Sequence, residues 1–305
     1  METKFYMAIG LPASGKSFYG KKIMKESNIE IISSDTIREE LFGDINDQIH
    51  NKEVFNELHK RVYKALSEGR SCYYDATNLS RRRRRNFLKT LPKNIEKIAI
   101  LFATEYDIIF EQNKKRERHV PEDVIVKMAK RMTIPRKDEG WDKVIIQTHE
   151  NNHNDLGYYL DRCMGIKHDN SHHKLDIHEH MIATRNVAEE ISKRERLCPF
   201  DSLVLTMAAR YHDVGKSYCK TFETYSGKIT EEAHYYNHAE IGAYLAACAS
   251  DFYNHSIIRL VMLLIQYHMD FYDRNRNVIE NFEGIFGADL KRLLILLHEA
   301  DQTAH

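Results

Sequence analysis

Proline and tryptophan are scarce in this 305-residue chain: there are five prolines and one tryptophan. Pro199 is the only proline beyond residue 135, so the second half has little to interrupt a helix. Five cysteines (residues 72, 163, 198, 219 and 248) form no CxxC pair. That excludes a disulfide framework and a zinc ribbon, and suits reduced thiols in a cytoplasmic protein. No apolar run approaches the roughly 20 residues of a membrane helix, so no membrane partner is expected. The N-terminus lacks the basic-then-apolar pattern of an export signal. Net charge is also absent, but the zero conceals an asymmetry. Residues 1–150 carry 29 Lys+Arg and 23 Asp+Glu (net +6), and the remainder carries 16 and 22 (net −6). Of 17 histidines, 4 lie in the first half and 13 in the second. A basic half suits a polyanionic substrate, and an acidic, histidine-rich half suits bound cations.

Periodicity divides the chain in the same place. Short β-branched or aromatic runs at Lys4–Ile9, Ile29–Ser33, Cys72–Asp75, Lys97–Phe102 and Lys143–Gln147 read as strands. Helical patterns lie between them, at Lys16–Glu26, Thr36–Phe42, Lys52–Ser67, Arg81–Leu88, Glu105–Lys115 and Glu122–Met132. Such alternation predicts a parallel sheet covered by helices over residues 1–150. A polar stretch from Thr148 to Asp155 reads as a hinge, giving a linker over residues 151–167. Beyond it the patterns are helical, with almost no strand signal: Glu179–Ser192, Ser202–Tyr211, His238–Ser250, Ser256–His268 and Leu290–His298.

The densest motif is Gly10-Leu-Pro-Ala-Ser14-Gly15-Lys16-Ser17, placed between the first strand and the first helix. That context makes it a phosphate cradle: Gly10 and Gly15 free the backbone, and the loop amides face polyphosphate oxygens. Lys16 is expected on the outer phosphates of ATP, and the Ser17 hydroxyl on Mg²⁺. In a parallel α/β fold, strand ends face the ligand crevice. Asp35, after the second strand, is therefore placed either to take a proton from an acceptor hydroxyl or merely to cap a helix. Arg38, three residues on, is a phosphate clamp or a surface charge. Asp75, at the next strand end, would assist Mg²⁺ or touch the acceptor, with Asn78 close behind. Five consecutive arginines, Arg81 to Arg85, open the following helix, of which one or two would face substrate. Arg116 and Arg118 precede Pro121 on a joining loop that would close over the nucleotide.

Taken in order, Gly10–Ser17, Ser34-Asp35-Thr-Ile-Arg38, Asp75-Ala-Thr-Asn78-Leu with its arginines, and Asn113 to Pro121-Glu-Asp-Val-Ile resemble the 5′-hydroxyl polynucleotide kinases of bacteriophage and bacteria. The resemblance covers nearly the whole first half. It implies Asp35 as general base, Arg38 on the nucleotide phosphate beside the 5′-OH, and either Arg116 or Arg118 as the lid arginine on ATP.

In the second half, His212 and Asp213 are adjacent, and a cation there needs further ligands from other helices. His180 upstream and Asp301 downstream supply imidazole and carboxylate, a donor set for zinc or a first-row transition metal. His178, two residues from His180, faces another way, so only one of the pair is a ligand. The set resembles the HD phosphohydrolase superfamily over residues 168–305. That resemblance implies His180, His212, Asp213 and Asp301 as ligands of a divalent metal such as Mn, Ni, Co, Fe or Zn. It also implies His173 as a further match, His238 and His268 as extra ligands of a second metal or as phosphate contacts, and Lys216 on the substrate phosphate.

The expectation is thus an α/β P-loop kinase domain (residues 1–150) followed by an all-α HD domain (residues 168–305), acting together in nucleic-acid end healing. The first would phosphorylate the 5′-OH of RNA or DNA ends. The second would remove a 3′-phosphate or open a 2′,3′-cyclic phosphate, supplying a nucleic-acid ligase downstream. Known end-healing enzymes that use an HD module place it first, and here it comes second. Two alternatives stay open: a small-molecule or nucleotide kinase fused to an HD nucleotidase, and an ATP-binding regulator with a nucleotide-sensing HD module.

Overall fold

A computed structural model describes residues 3–26, 29–169, 175–272 and 277–304. The expectation for His173 falls outside these residues. The chain forms two compact units, Met1–Asn151 and Asn152–His305.

The first unit alternates β1 (Lys4–Ile9), α1 (Lys16–Glu26), β2 (Glu30–Ser33), α2 (Ser34–Phe42), α3 (Asn51–Ser67), β3 (Cys72–Asp75), α4 (Arg81–Leu88), β4 (Glu96–Ala103), α5 (Tyr106–Lys114), α6 (Glu122–Arg131) and β5 (Lys143–Thr148). The sheet runs in the order β2-β3-β1-β4-β5, and every pairing is parallel. Buried Ala8, Tyr73, Ile98, Ile100 and Phe102 of β1, β3 and β4 form a core cluster against which Tyr19 and Ile23 of α1 pack. Strands buried on both faces lose the polar alternation of an open sheet and read as continuous apolar runs. Because β1 and β3 are neighbours, the loops leaving their carboxyl ends open onto one crevice. Ser33 caps α2 by accepting from Asp35 N and Thr36 N, and Gly43 ends that helix in a left-handed turn (φ 68°). The capping alternative for Asp35 is thereby taken by Ser33, which leaves the Asp35 side chain for the crevice.

In the second unit, the segment expected as a linker holds α7 (Leu156–Asp161), whose Leu156, Tyr159 and Leu160 are buried. There follow α8 (Ile177–Arg194), α9 (Pro199–Tyr211), the short α10 (Lys216–Cys219), β6 (Thr221–Glu223), β7 (Ile229–His234), α11 (His238–Cys248), α12 (His255–Tyr267), α13 (Asn277–Phe286) and α14 (Ala288–Thr303). All eleven residues of α11 are buried, which makes it the central helix of the unit. The antiparallel β6–β7 ribbon is absent from the sequence reading, which expected helices alone. Its residues are mostly exposed on both faces, so no two-residue hydrophobic alternation marks them. Among the described residues, no helix is long and apolar enough to cross a membrane.

Candidate functional sites

The loop after β1 is built to approach a ligand with its backbone. Ala13 and Gly15 have positive φ (62° and 89°), and Ser14 N donates to Leu11 O at 3.3 Å. A side chain at Gly10 would bring its Cβ within 2.7 Å of Ser14 Oγ and 3.0 Å of Phe102 Cβ, so only glycine lets the loop pass the sheet. Lys16 is buried, with Nζ 2.5 Å from Leu11 O and 3.4 Å from Ser14 Oγ. Burial lowers its ammonium to about 8, with Arg116 adding to the fall and Asp75 and Asp35 opposing it. Asp75, at the end of β3, is buried and raised from the ordinary carboxylate range by desolvation, against a hydrogen bond from Ser17. Ser17, Asp75 and Lys16 therefore meet at one point.

Asp35 lies beside that point. Its Oδ1 accepts from Arg38 Nη1 at 2.9 Å and from Arg118 Nη1 at 2.6 Å. Arg38 is buried, and its Nη2 donates to Asn51 Oδ1 at 2.8 Å, so it is not a surface charge. The two arginines expected on the lid differ: Arg118 pairs with Asp35, while the charge of Arg116 lowers Lys16 and Asp75. All of these residues line one cleft of about 1430 Å³.

Two residues of the sequence reading are tied into the scaffold. Asn78, in a left-handed conformation (φ 49°), donates its amide to Ala8 O at 2.8 Å. Arg84 is buried against the buried carboxylate of Glu139 (Nη2–Oε1 2.6 Å, Nε–Oε2 2.8 Å) and bonds the carbonyls of Asn78, Thr133 and Ile134. Of the five arginines, Arg84 therefore holds the loop after β3 in place, and Arg83 is the exposed one on the cleft.

The second unit gathers six of the expected residues from five elements. His180 follows the first turn of α8, which Asp176 and Glu179 close with a reciprocal capping box. His212 caps the end of α9 and Asp213 lies in the turn beyond it. His238 opens α11, His268 follows α12, and Asp301 lies on α14. These residues form two triads, His180, His212 and Asp301, and Asp213, His238 and His268. Asp213 joins them. Its Oδ2 is 3.3 Å from His212 Nε2 and 3.9 Å from His180 Nε2, and its Oδ1 is 3.3 Å from His238 Nε2 and 3.7 Å from His268 Nε2. Asp301 Oδ1 is 3.0 Å from His180 Nε2 and 3.3 Å from His212 Nε2.

Glycine permits this convergence. A Cβ on Gly215 would stand 2.1 Å from His238 O and 2.7 Å from Gly242 N, so the turn after Asp213 lies directly against the start of α11.

The donor set fits divalent cations. His212, His238 and His268 each place Nδ1 2.7 to 2.9 Å from a backbone carbonyl, of Ala209, Tyr235 and Ile265. That points each Nε2 at the partner residues, where a bound cation would take the place of a proton. His212 Nε2 and Asp213 Oδ1 are buried without a hydrogen bond of good geometry, as atoms reserved for another partner are. Burial alone would lower the His212 imidazole, but the Asp213 and Asp301 carboxylates outweigh it and raise it to about 10. Burial lowers His238 to about 3. Lys216 Nζ is 2.5 Å from Asp213 Oδ2 and 5.4 Å from the centre of the Tyr235 ring. His168, which the sequence reading passed over, is buried with its ring 5.7 Å from that of His180, and nothing in its polar surroundings along the chain marks it.

Known proteins resemble each unit. Residues 6–135 match the AAA domain family model, and residues 177–304 match the HD domain model. An L-seryl-tRNA(Sec) kinase of Methanococcus maripaludis is 24% identical over 213 residues, covering 68% of this chain and 80% of that protein. A chain of the solved Pnkp1/Rnl/Hen1 RNA repair complex is 19% identical, with a TM-score of 0.39, and the match covers 43% of this chain and 44% of that one. A shikimate kinase from Acinetobacter baumannii is 16% identical, with a TM-score of 0.33, covering 49% and 86%. This chain spans less than half the length of the repair-complex chain. It carries a P-loop kinase domain of the AAA type followed by an HD phosphohydrolase domain, the fusion that its two sets of motifs announce.

Proposed function

We propose that the chain heals nucleic-acid ends in two reactions, phosphorylating a 5′-hydroxyl with ATP and hydrolysing a phosphate ester, a 3′-phosphate or 2′,3′-cyclic phosphate, at the other end. The observation that carries this reading is the first cleft. Its volume of about 1430 Å³ takes in the phosphate cradle and the space beyond Asp35, room for two substrates side by side. The phosphate cradle lies at one end of it and Asp35 between its two guanidinium partners. With the nucleotide at the cradle, a second substrate has room beyond Asp35.

In this reading the P-loop amides and Lys16 hold the ATP phosphates, and Arg116 offsets charge on the group in transfer. Ser17 and Asp75, hard oxygen donors side by side, would hold Mg²⁺. Asp35 accepts the proton of the acceptor hydroxyl as its oxygen bonds to the γ-phosphorus and the bond to ADP breaks. Arg38 binds the phosphate next to that hydroxyl, oriented by Asn51.

At the second site, His180, His212 and Asp301 would hold one divalent cation and His238 and His268 a second, with Asp213 shared. When bound, such cations supply an acidified water and offset charge on phosphoryl oxygens. Lys216, beside Asp213, binds the phosphate being released. A 3′-phosphate loses inorganic phosphate to one water, and a 2′,3′-cyclic phosphate is first opened by one water and then cleared by a second; the resulting 5′-phosphate and 3′-hydroxyl are the ends that a ligase joins.

The likeness to the seryl-tRNA kinase favours a second reading, in which the acceptor hydroxyl sits on an amino acid attached to RNA. One assay separates them. An oligonucleotide with 5′-OH and 3′-phosphate ends is incubated with ATP, Mg²⁺ and a panel of transition metals, next to seryl-tRNA and free nucleosides. End healing predicts change at both ends of the oligonucleotide. Label only on seryl-tRNA or only on nucleosides would overturn it.

A further inference from the structure

Beyond Asp35 the cleft continues along α3. Asn51, Phe55, His59 and Tyr63 recur every four residues on this helix and all line the cleft. Successive residues four apart adjoin on a helix, and the stripe winds about 40° per step around α3. Asn51, at the near end, is hydrogen-bonded to Arg38 and through it linked to Asp35. From Asn51 to Tyr63 the face extends about 18 Å, at ~1.5 Å per residue, against a base-to-base rise of about 3.4 Å in stacked DNA.

The face is aromatic and held rigidly. The His59 ring stacks on Phe87 with centroids 4.3 Å apart and planes at 26°, and Phe87 meets Tyr74 edge-on at 5.5 Å. Tyr63 is fixed at the far end by a 2.7 Å hydrogen bond to Thr90 and stays 37% exposed. Burial lowers the His59 imidazole, so at neutral pH the ring is uncharged. Arg83 lines the same wall, and Asp35 and Asp75, both beside the phosphate cradle, are the only carboxylates among the cleft residues. A core would bury this stripe completely. Here its outer rings face an open lobe that starts at the acceptor phosphate clamp and is lined by cations.

The geometry points to a nucleobase platform: Phe55, His59 and Tyr63 stack the first unpaired bases of a single-stranded 5′-OH end, while Arg38 and Arg83 take its phosphates. The inference rests on the end-healing reading and deepens it. Flat π faces with neighbouring guanidinium groups accept any base, so the platform selects single-stranded nucleic acid over sugars and other small hydroxyl compounds without selecting a sequence.

The test compares two 5′-OH oligonucleotides as acceptors for the full chain, one complete and one abasic at its first three nucleotides. For the wild type, the abasic acceptor should show a KM raised about tenfold and a similar kcat. In Phe55→Ala and Tyr63→Ala the KM of the complete acceptor should rise towards the abasic value, with the abasic KM and the KM for ATP unchanged. Tyr63→Phe keeps the ring and loses only the Thr90 bond, so it should recover most of the KM difference between the complete and abasic acceptors that Tyr63→Ala loses, which separates stacking from folding. A wild type that treats both acceptors alike, or alanine variants that slow both equally, would overturn the platform while leaving end healing intact. Transfer to neither oligonucleotide, with transfer to seryl-tRNA or nucleosides, would remove both.

Discussion

Arg118 donates to Asp35 Oδ1 at 2.6 Å, although 83 positions separate them in the chain. The bond joins the loop between α5 and α6 to the residue proposed as general base. Arg116, two residues earlier, instead faces Lys16 and Asp75. The two arginines should therefore fail differently. Arg116→Ala is expected to lower kcat and raise the KM for ATP. Arg118→Ala is expected to act on the acceptor side, lowering kcat while sparing the KM for ATP. Asp35→Ala should lose about 10²–10⁴ in transfer with nucleotide binding kept. Steady-state kinetics with both substrates varied distinguishes the three.

The lysine of the phosphate cradle sets a pH dependence. Lys16 is lowered by burial to about 8 from an ordinary 10.5. Below pH 8 the empty site holds an ammonium ready for the phosphates, and above it an amine. ATP affinity should fall as pH rises through 8. Between pH 8 and 10.5, binding should take up a proton, because the bound phosphates restore the charged form. Calorimetry at pH 9 in buffers of different ionisation enthalpy measures that uptake, and Lys16→Arg should abolish it. For folding the sign is the reverse of a stabilising pair. The unfolded chain holds the proton more tightly, so the cost of burying Lys16 is fully present below pH 8 and fades as pH rises to 10.5.

Among the arginines of α4, structure and binding should separate cleanly. Arg84→Ala leaves the Glu139 carboxylate buried without its guanidinium partner, for an expected loss of about 3–5 kcal/mol. Arg83→Ala, at an exposed position on the cleft, should leave the melting temperature within a degree or two and raise the KM for an oligonucleotide acceptor. Thermal melts of both variants beside their kinetics make the comparison.

Gly215 holds the second site together without touching a substrate. A methyl group there meets the backbone of His238 and Gly242, so Gly215→Ala must push α11 away from Asp213. The expected cost is about 3 kcal/mol, with loss of the cation proposed for Asp213, His238 and His268. Ser217→Ala, two residues on, should keep both stability and metal. Metal content by plasma mass spectrometry, taken with melting curves, checks this.

Much of this was legible in the chain because it is local. The phosphate cradle is a short motif between a strand and a helix, and its glycines do their work within a few residues. The ligand types of the second site were equally plain, since imidazoles and carboxylates beside His212 and Asp213 are uncommon. A second group around His238 and His268 was implied by the resemblance, but the place of Asp213 with them was not. It depends on a turn at residues 212–215 that presents one oxygen of Asp213 to each side, and on a glycine contact between α10 and α11. Arg84 could not be told from its four neighbours, because its partner Glu139 lies 55 positions away. The helix Leu156–Asp161 hid in a segment whose polar beginning reads as a hinge. The aromatic face of α3 was equally silent, since only the folded cleft shows which of its rings line the path from Asp35.

In the proposed function two independent sites act on opposite ends of one substrate. A single oligonucleotide with 5′-OH and 3′-phosphate ends, incubated with ATP and metals and resolved by end-group mass spectrometry, tests it with two variants. The account predicts that Asp35→Ala loses only the 5′ change and Asp301→Ala only the 3′ change. A variant that loses both changes, or an Asp301→Ala chain that still releases the 3′-phosphate at the wild-type rate, would contradict it.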